Sequence, residues 1–243
     1  EDFSYDENDV MDFFEGKDLD CLVLVNPDNP TGNYISRKGM LKLARWTKEK
    51  NIRFLADESF VDFSEEAEPT LLVEELLDEN PHMIVVKSIS KSYGIPGLRL
   101  GVAASGDTDL IGQLKKDVAI WNINSFGEFY MQIEEKYRKD YNSALDKLRG
   151  ERTRFAEKLS KLPGVRVFPS QANYLMVELT GKSISATEIT ELLLTRYNLF
   201  IKDLSSKISR NGRQFLRIAI RNEAEDNILV KALKEILAQC SKQ

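Results

Sequence analysis

A few short stretches of this sequence carry side chains able to do chemistry. The first is Val85-Val86-Lys87-Ser88-Ile89-Ser90-Lys91, continuing through Gly94-Ile95-Pro96-Gly97 to Arg99. An apolar run, the kind that makes a buried strand, breaks into Ser, Lys and Gly-Pro-Gly, which continue neither strand nor helix. Lys91 therefore sits on a loop at the carboxyl end of a strand, where open α/β sheets bind ligands. An amine there could form a Schiff base with an aldehyde. Ser88, Ser90 and the fork-shaped guanidinium of Arg99 could hold a phosphate. The second stretch ends another apolar run in Asp57-Glu58-Ser59-Phe60; Asp57 at a sheet edge could pair with a cationic ring nitrogen. In the third, Asn26-Pro27-Asp28-Asn29-Pro30-Thr31-Gly32, prolines fix the neighbours of Asn29, so its amide can be aimed. The fourth is Phe215-Leu216-Arg217-Ile218-Ala219-Ile220-Arg221. Strand alternation puts Arg217 and Arg221 on one face, and an arginine on an otherwise apolar strand calls for an anion.

Each stretch has an ordinary alternative. A lysine among serines can be a solvated loop residue, Asp57 a turn acid, Asn29 a turn residue, and either arginine half of a salt bridge. Four apolar residues followed by Asp-Glu also suit the magnesium-binding acid of a phosphate-loop nucleotidase. That reading requires G-x-x-x-x-G-K-[ST], which the sequence lacks.

The elements that must position these groups follow from the pattern. Leu19 to Val25, Ile52 to Ala56, Met83 to Lys87 and Leu100 to Ala104 read as strands. A helix capped by Ser36, with Met40, Leu43, Ala44 and Thr47 at helical spacing, and an acidic helix from Thr70 to Asn80 separate the first three. Strand–helix alternation predicts an α/β fold with a parallel, doubly wound sheet. Right-handed crossovers then bring Asn29, Asp57 and Lys91 to one edge. A further helix spans 107–119, Trp121 to Ser125 interrupts it, and a long helical region follows to about Leu162, with Gly150 as a candidate bend. From Pro163 onward short strands (Val165 to Phe168, Tyr174 to Leu179, Leu199 to Ile201, Phe215 to Ile220) mix with helices at 185–196 and 223–239, a smaller α+β domain. Asn222 and Glu225 form a capping-box-like start to the last helix, whose buried face is Ile228, Leu229, Ala232, Leu233, Ile236 and Leu237. The division expected is a partial large domain over 1–135, a bridging helical region over 136–162, and a small domain over 163–243.

Bulk properties narrow the function classes. The chain has 243 residues, 42% hydrophobic and 30% charged, an ordinary globular composition with room for a sizeable core. Lys plus Arg is 34 against 39 Asp plus Glu, a net charge of -5 that argues against a general nucleic-acid surface. No apolar stretch is long enough to span a bilayer. The two cysteines, Cys21 and Cys240, support no disulfide framework, which favours a reducing compartment and a cytoplasmic setting; Cys21, in an apolar run, reads as a buried small hydrophobe. The single histidine, His82, has no His or Cys cluster around it, so no metal site is expected.

Taken together, the motifs at 26–32, 57–60, 88–99 and 215–219 resemble, in order and spacing, the class I/II aminotransferases of fold type I, the pyridoxal-phosphate enzymes. Trp121-Asn122-Ile123-Asn124-Ser125, Gln171-Ala172-Asn173-Tyr174 and the Arg217–Arg221 pair are similar to the histidinol-phosphate aminotransferase and threonine-phosphate decarboxylase branch. The resemblance implies pyridoxal 5'-phosphate as cofactor and a role for each matching residue. Lys91 would be the Schiff-base lysine and general base. Asp57 would keep the pyridine nitrogen protonated, so that the ring serves as an electron sink. Asn29 would donate to the phenolic oxygen, Ser88, Ser90 and Arg99 would bind the phosphate, and Arg217 would clamp the substrate carboxylate, with Arg221 helping to hold a substrate phosphate. It implies an aminotransferase acting on an amino acid, with decarboxylation of an amino-acid phosphate as the alternative, and a homodimer. A non-catalytic aminotransferase-like domain is the rival from another class.

Two departures stand out. Phe60 occupies the place where the family often has a tyrosine that donates to the phenolic oxygen, a replacement that suits decarboxylase-like members. Nothing before Asn26 matches the family's small-residue phosphate loop or its ring-stacking aromatic, so the chain, which opens Glu1-Asp2-Phe3, is expected to be the C-terminal two-thirds of such an enzyme, with half of the phosphate cup outside it.

Overall fold

The computed structural model describes residues 2–181, 184–208 and 212–240. The described residues divide into two compact units, one of residues 3–29 and 33–145, the other of residues 2, 30–32, 146–181, 184–208 and 212–240.

In the first unit, helix α1 (Glu7–Phe14) opens on a capping box: the Asp6 carboxylate accepts from the Asn8 and Asp9 amides, and Asp9 accepts from the Asp6 amide. Asp6-x-x-Asp9 is the sequence signal for this helix. Next come β1 (Cys21–Val25), α2 (Arg37–Glu49, capped by Ser36), β2 (Arg53–Asp57), α3 (Glu74–Glu79), β3 (Met83–Ser88), the one-turn α4 (Ile89–Ser92) and β4 (Gly101–Ala104). Strands β1, β2 and β3 pair in parallel, in that order, with Val25 opposite Asp57 and Asp57 opposite Val86. Their core gathers Leu22, Leu24, Phe54, Ala56, Met83 and Val85 against Met40, Leu43 and Ala44 of α2.

The fourth strand corrects the expectation of an all-parallel sheet. β4 runs antiparallel to β3, with Gly101 opposite Ser88 and Ala104 opposite Val85. The connection of α4 and one 3-10 turn (Pro96–Leu98) is too slight to carry a helix back across the sheet, and an antiparallel return needs none. Cys21 is a second correction: it is exposed, on the outward face of β1, as is Val23, because β1 alternates and only Leu22 and Leu24 face the core. The side chain of Cys240 lies outside the described residues.

Helices α5 (Thr108–Asp117), α6 (Ser125–Ile133) and α7 (Arg138–Ser160) follow. The long helical region breaks at a 3-10 turn, Glu134–Tyr137, and runs unbroken through Gly150. The division between the units falls inside α7.

The second unit contains β5 (Val165–Val167), β6 (Tyr174–Leu179), α8 (Ala186–Tyr197), β7 (Lys202–Asp203), β8 (Gln214–Ala219) and α9 (Glu223–Cys240). Its sheet is antiparallel in the order β5-β6-β8-β7. Phe155 and Leu159 of α7, Ile189 and Leu193 of α8, and Leu229, Ala232, Leu233 and Ile236 of α9 pack with Leu175, Val177, Leu216 and Ile218. Ile228, expected in the buried face of α9, is 54% exposed. No helix among the described residues is long and apolar enough to cross a membrane.

Glu178, on the fully buried strand β6, is held by Arg213 through Nε at 2.6 Å and Nη2 at 2.7 Å. These bonds keep its carboxyl below the usual glutamate range, against the opposing effect of burial. A carboxyl whose folded pKa is lowered contributes stability that is complete above its unfolded pKa and lost as pH falls through the folded value. Glu178→Gln is therefore expected to cost about 2 kcal/mol at neutral pH, with the difference from the parent vanishing in acid. Urea denaturation across a pH series measures both.

Candidate active site at the carboxyl edge of the first sheet

Parallel pairing places the ends of β1, β2 and β3 at one edge. The loop bearing Asn29 leaves β1 there, Asp57 is the last residue of β2, Ser88 is the last of β3, and Ser90 and Lys91 follow directly in α4. Because β4 is antiparallel, its beginning lies at the same edge, so Arg99 arrives there too. In a parallel β4 the strand would instead have ended at this edge.

Local bonding fixes each loop. The Asn26 side chain, buried, donates to the Ile35 carbonyl at 2.8 Å and accepts from the Ile35 amide at 2.9 Å; the Asp28 amide donates to the Asn33 carbonyl at 2.8 Å. These three bonds close the loop that presents Asn29. Asp57 Oδ1 accepts from the Ser59 amide at 2.9 Å, an Asx-type turn that sets the carboxylate's direction as the chain leaves the strand. Ser59 Oγ in turn accepts from the Ser88 amide at 3.1 Å, linking the Asp57 turn to the segment that leads to Lys91.

Lys91 is exposed, with Nζ 4.7 Å from the centroid of the Phe60 ring, and makes no ion pair among the described residues. A cation over an aromatic face is attracted by the ring quadrupole without being neutralised. Arg99 sits in the left-handed region (φ 57°), exposed, and donates through Nη1 to the Pro96 carbonyl at 3.2 Å. The Ser90 hydroxyl is buried and donates to the Leu100 carbonyl at 3.3 Å, so in this arrangement it braces the turn into β4.

The two remaining candidates lie in the second unit. Arg217, on β8 opposite Met176 and Lys202, places its guanidinium 5.1 Å from the Tyr174 ring centroid. Arg221 does not share its strand. β8 ends at Ala219, and Arg221 lies exposed ahead of α9, where its Nε donates to Glu225 at 2.9 Å. The face-sharing inferred from strand alternation fails because the strand stops two residues short.

The sequence reading missed the support beneath the edge. Glu58, 1% exposed, accepts from Thr70 Oγ1 at 2.6 Å and from the Leu71 amide at 2.7 Å, and burial raises its carboxyl above the usual range. Lys87 Nζ meets Asp62 Oδ1 at 2.6 Å, both side chains largely buried. His82 is structural: its Nε2 lies 2.9 Å from the Ala44 carbonyl and 3.1 Å from Thr47 Oγ1. No group of metal-binding side chains occurs among the described residues.

Residues 2–233 match the family described as aminotransferase class I and II. The chain belongs to the class I and II aminotransferase family. Pyridoxal 5'-phosphate is the cofactor of that family. The chain is 36% identical over 244 residues to an L-serine phosphate decarboxylase of Sulfurospirillum multivorans, covering 98% of this chain and 60% of that protein. It is 35% identical over 236 residues to a CMP-5'-(3-aminopropyl)phosphonate synthase of Streptomyces rubellomurinus, covering 97% of this chain and 37% of that one. Among solved structures, a decarboxylase from Sulfurospirillum multivorans superposes with a TM-score of 0.85 at 36% identity, covering 97% of this chain and 67% of the other. The chain thus spans between a third and two thirds of the length of these curated relatives.

Removing the ammonium beneath this edge tests how the aminotransferase-family site is supported. Lys87→Met strips the largely buried Asp62 carboxylate of this cation and is expected to destabilise the protein by about 3 kcal/mol. Adding Asp62→Leu to the same chain is expected to recover most of that loss, read as a double-mutant cycle by chemical denaturation.

Proposed function

We propose that the protein is a pyridoxal-phosphate-dependent enzyme that works through Lys91, and that its reaction is the decarboxylation of a small amino-acid phosphate. The observation that carries the first part is the sheet edge: an amine with no ion-pair partner among the described residues, a carboxylate with one oxygen fixed by Ser59, and an exposed guanidinium gather on one rim. That donor set suits the cofactor: a covalent amine, an acid for a ring nitrogen and a cation for a phosphate. The second part is supported by the 36% identity to an L-serine phosphate decarboxylase and by Phe60.

When bound, pyridoxal phosphate supplies an aldehyde for covalent attachment and a ring that accepts the electrons of a breaking bond. This chain's residues do the rest. Asp57 would hold a proton on the ring nitrogen, its direction set by the Ser59 amide. Asn29 would donate to the phenolic oxygen, a task for which Phe60 carries no hydroxyl. Arg99 with Ser88 would bind the phosphate; Ser90 would join them by rotating its hydroxyl away from Leu100. Lys91 would anchor the cofactor and, once displaced, move a proton at the reacting carbon. Arg217 would bind the substrate carboxylate, and Arg221, released from Glu225, would meet a substrate phosphate. A homodimer and a cytoplasmic setting belong to the same reading.

Transamination, the family's namesake reaction, is the second reading and shares every one of these residues. Products separate them. With pyridoxal phosphate and O-phosphoserine or O-phosphothreonine, the expected outcome is carbon dioxide and an amine phosphate in equal amounts. A keto acid formed in place of carbon dioxide would establish transamination. A visible absorbance band on adding the cofactor is expected in the parent and absent in Lys91→Ala; a band unchanged by that substitution would sink both readings and leave a non-catalytic domain.

A further inference from the structure

Hydrogen bonding between the three parallel strands continues a little past their ends. The Asn26 amide donates to the Asp57 carbonyl at 2.9 Å, and the Glu58 amide to the Val86 carbonyl at 2.8 Å. In a parallel ladder a residue that donates to one neighbour accepts from the neighbour two positions on, so the regular acceptor for the Ser88 amide is the Glu58 carbonyl. That carbonyl instead takes the Val61 amide, at 3.0 Å, as the chain turns away from the sheet. The Ser88 amide goes to Ser59 Oγ at 3.1 Å. A side chain has taken the place of a backbone acceptor.

The change of acceptor ties together two parts of the sheet edge. The Ser59 amide donates to Asp57 Oδ1 at 2.9 Å. One half-buried residue therefore holds the carboxylate with its backbone and the Ser88 amide with its side chain. Ser88 is the N-cap of α4, and its own side chain caps nothing. A helix of one turn has little cooperative stability of its own, so its ends must be held from outside. Behind it, Gly94 lies at φ 66°, a conformation that glycine enters without strain and that leaves the rear of the turn easy to move. The front of the turn is held at Ser88, three residues before Lys91.

We propose that Ser59 is a positioning residue for the Schiff-base chemistry: its hydroxyl holds the turn that carries Lys91 at a fixed offset from the Asp57 carboxylate. This role presupposes the proposed function of the sheet edge and adds a residue that acts through its two neighbours. With the hydroxyl in place, amine and acid meet a bound ring as one rigid pair. Without it the Ser88 amide must turn to water, and the lysine turn shifts while Asp57 stays with the Ser59 amide. Threonine keeps the hydroxyl. Alanine and valine lack it, valine with nearly the bulk of threonine.

Ser59→Ala, Ser59→Val and Ser59→Thr, each checked for fold by circular dichroism, test this in two ways. In the protein without cofactor, NMR is expected to show Ser88 amide exchange about tenfold faster or more in the alanine and valine variants, and within about threefold of the parent in the threonine variant. After pyridoxal phosphate is added, the pH midpoint of the visible band is expected to move by about half a unit or more in the alanine and valine variants and to stay in place with threonine. The charge on the bound Lys91 nitrogen depends on where it stands relative to the Asp57 charge, whereas a loss of stability alone leaves that midpoint unmoved. Unchanged Ser88 exchange in whichever of the alanine and valine variants folds would overturn the proposal. So would an unchanged midpoint in a band that still requires Lys91. A parent band that survives Lys91→Ala would overturn the proposed function itself, and the role of Ser59 with it.

Discussion

The register between β1, β2 and β3 is the constraint on which the first unit depends. Val25, Asp57 and Val86 lie side by side across three parallel strands. Strand side chains alternate between faces, so a slip of one residue would turn Asp57 to the opposite face and carry Ala56, now fully buried, out of the core. Burial of the hydrophobic side and aim of the polar residue at the strand's end are therefore one decision. Phe54, Met83 and Val85, all without exposed surface, keep that register in place.

Once the strand ends are aligned, the chemistry is a matter of what each loop does in its first few residues. After β2 the chain makes an Asx turn at Asp57 and sends Glu58 inward to clasp the Thr70–Leu71 segment. After β3 it winds one helical turn that presents Lys91 over Phe60. The Ser59 hydroxyl joins these two loops by accepting from the Ser88 amide. The site and its scaffold thus alternate along the sequence: Asp57 outward, Glu58 inward, Ser59 linking, Phe60 beneath the amine. A single loop of four residues supplies an acid, an anchor, a brace and an aromatic floor.

Much of this was legible in the chain itself. Strand positions were read to within two residues for most elements because an apolar run bounded by Pro, Gly, Asn or Asp has few other ways to fold. The parallel pairing of β1 to β3 followed from the helices between them. The reversal of β4 did not, because strand direction depends on which edge the returning chain reaches, and apolar patterning is the same in either direction. Cys21 was misplaced for a related reason: the run Leu-Asp-Cys-Leu-Val-Leu-Val looks uniformly apolar, yet only alternate residues find a core to enter. Arg221 fell outside its strand because the chain turns at Ile220 to begin α9, whose Asp226 accepts from the Arg221 amide.

What the sequence determined by itself was the kind of chemistry: the types and order of Asn29, Asp57, Lys91 and Arg99 are fixed by the covalent chain, and family membership is legible from that order. What the tertiary structure alone decided was which groups are free to act. Lys91 and Arg99 stand exposed with no carboxylate partner among the described residues, whereas Lys87, four residues before Lys91 and equally basic, is tied to Asp62 with both side chains largely buried. Ser90 is turned inward to Leu100. Partnership of this kind is set by which distant residues packing brings within about 3 Å, and no local pattern along the chain encodes that distance.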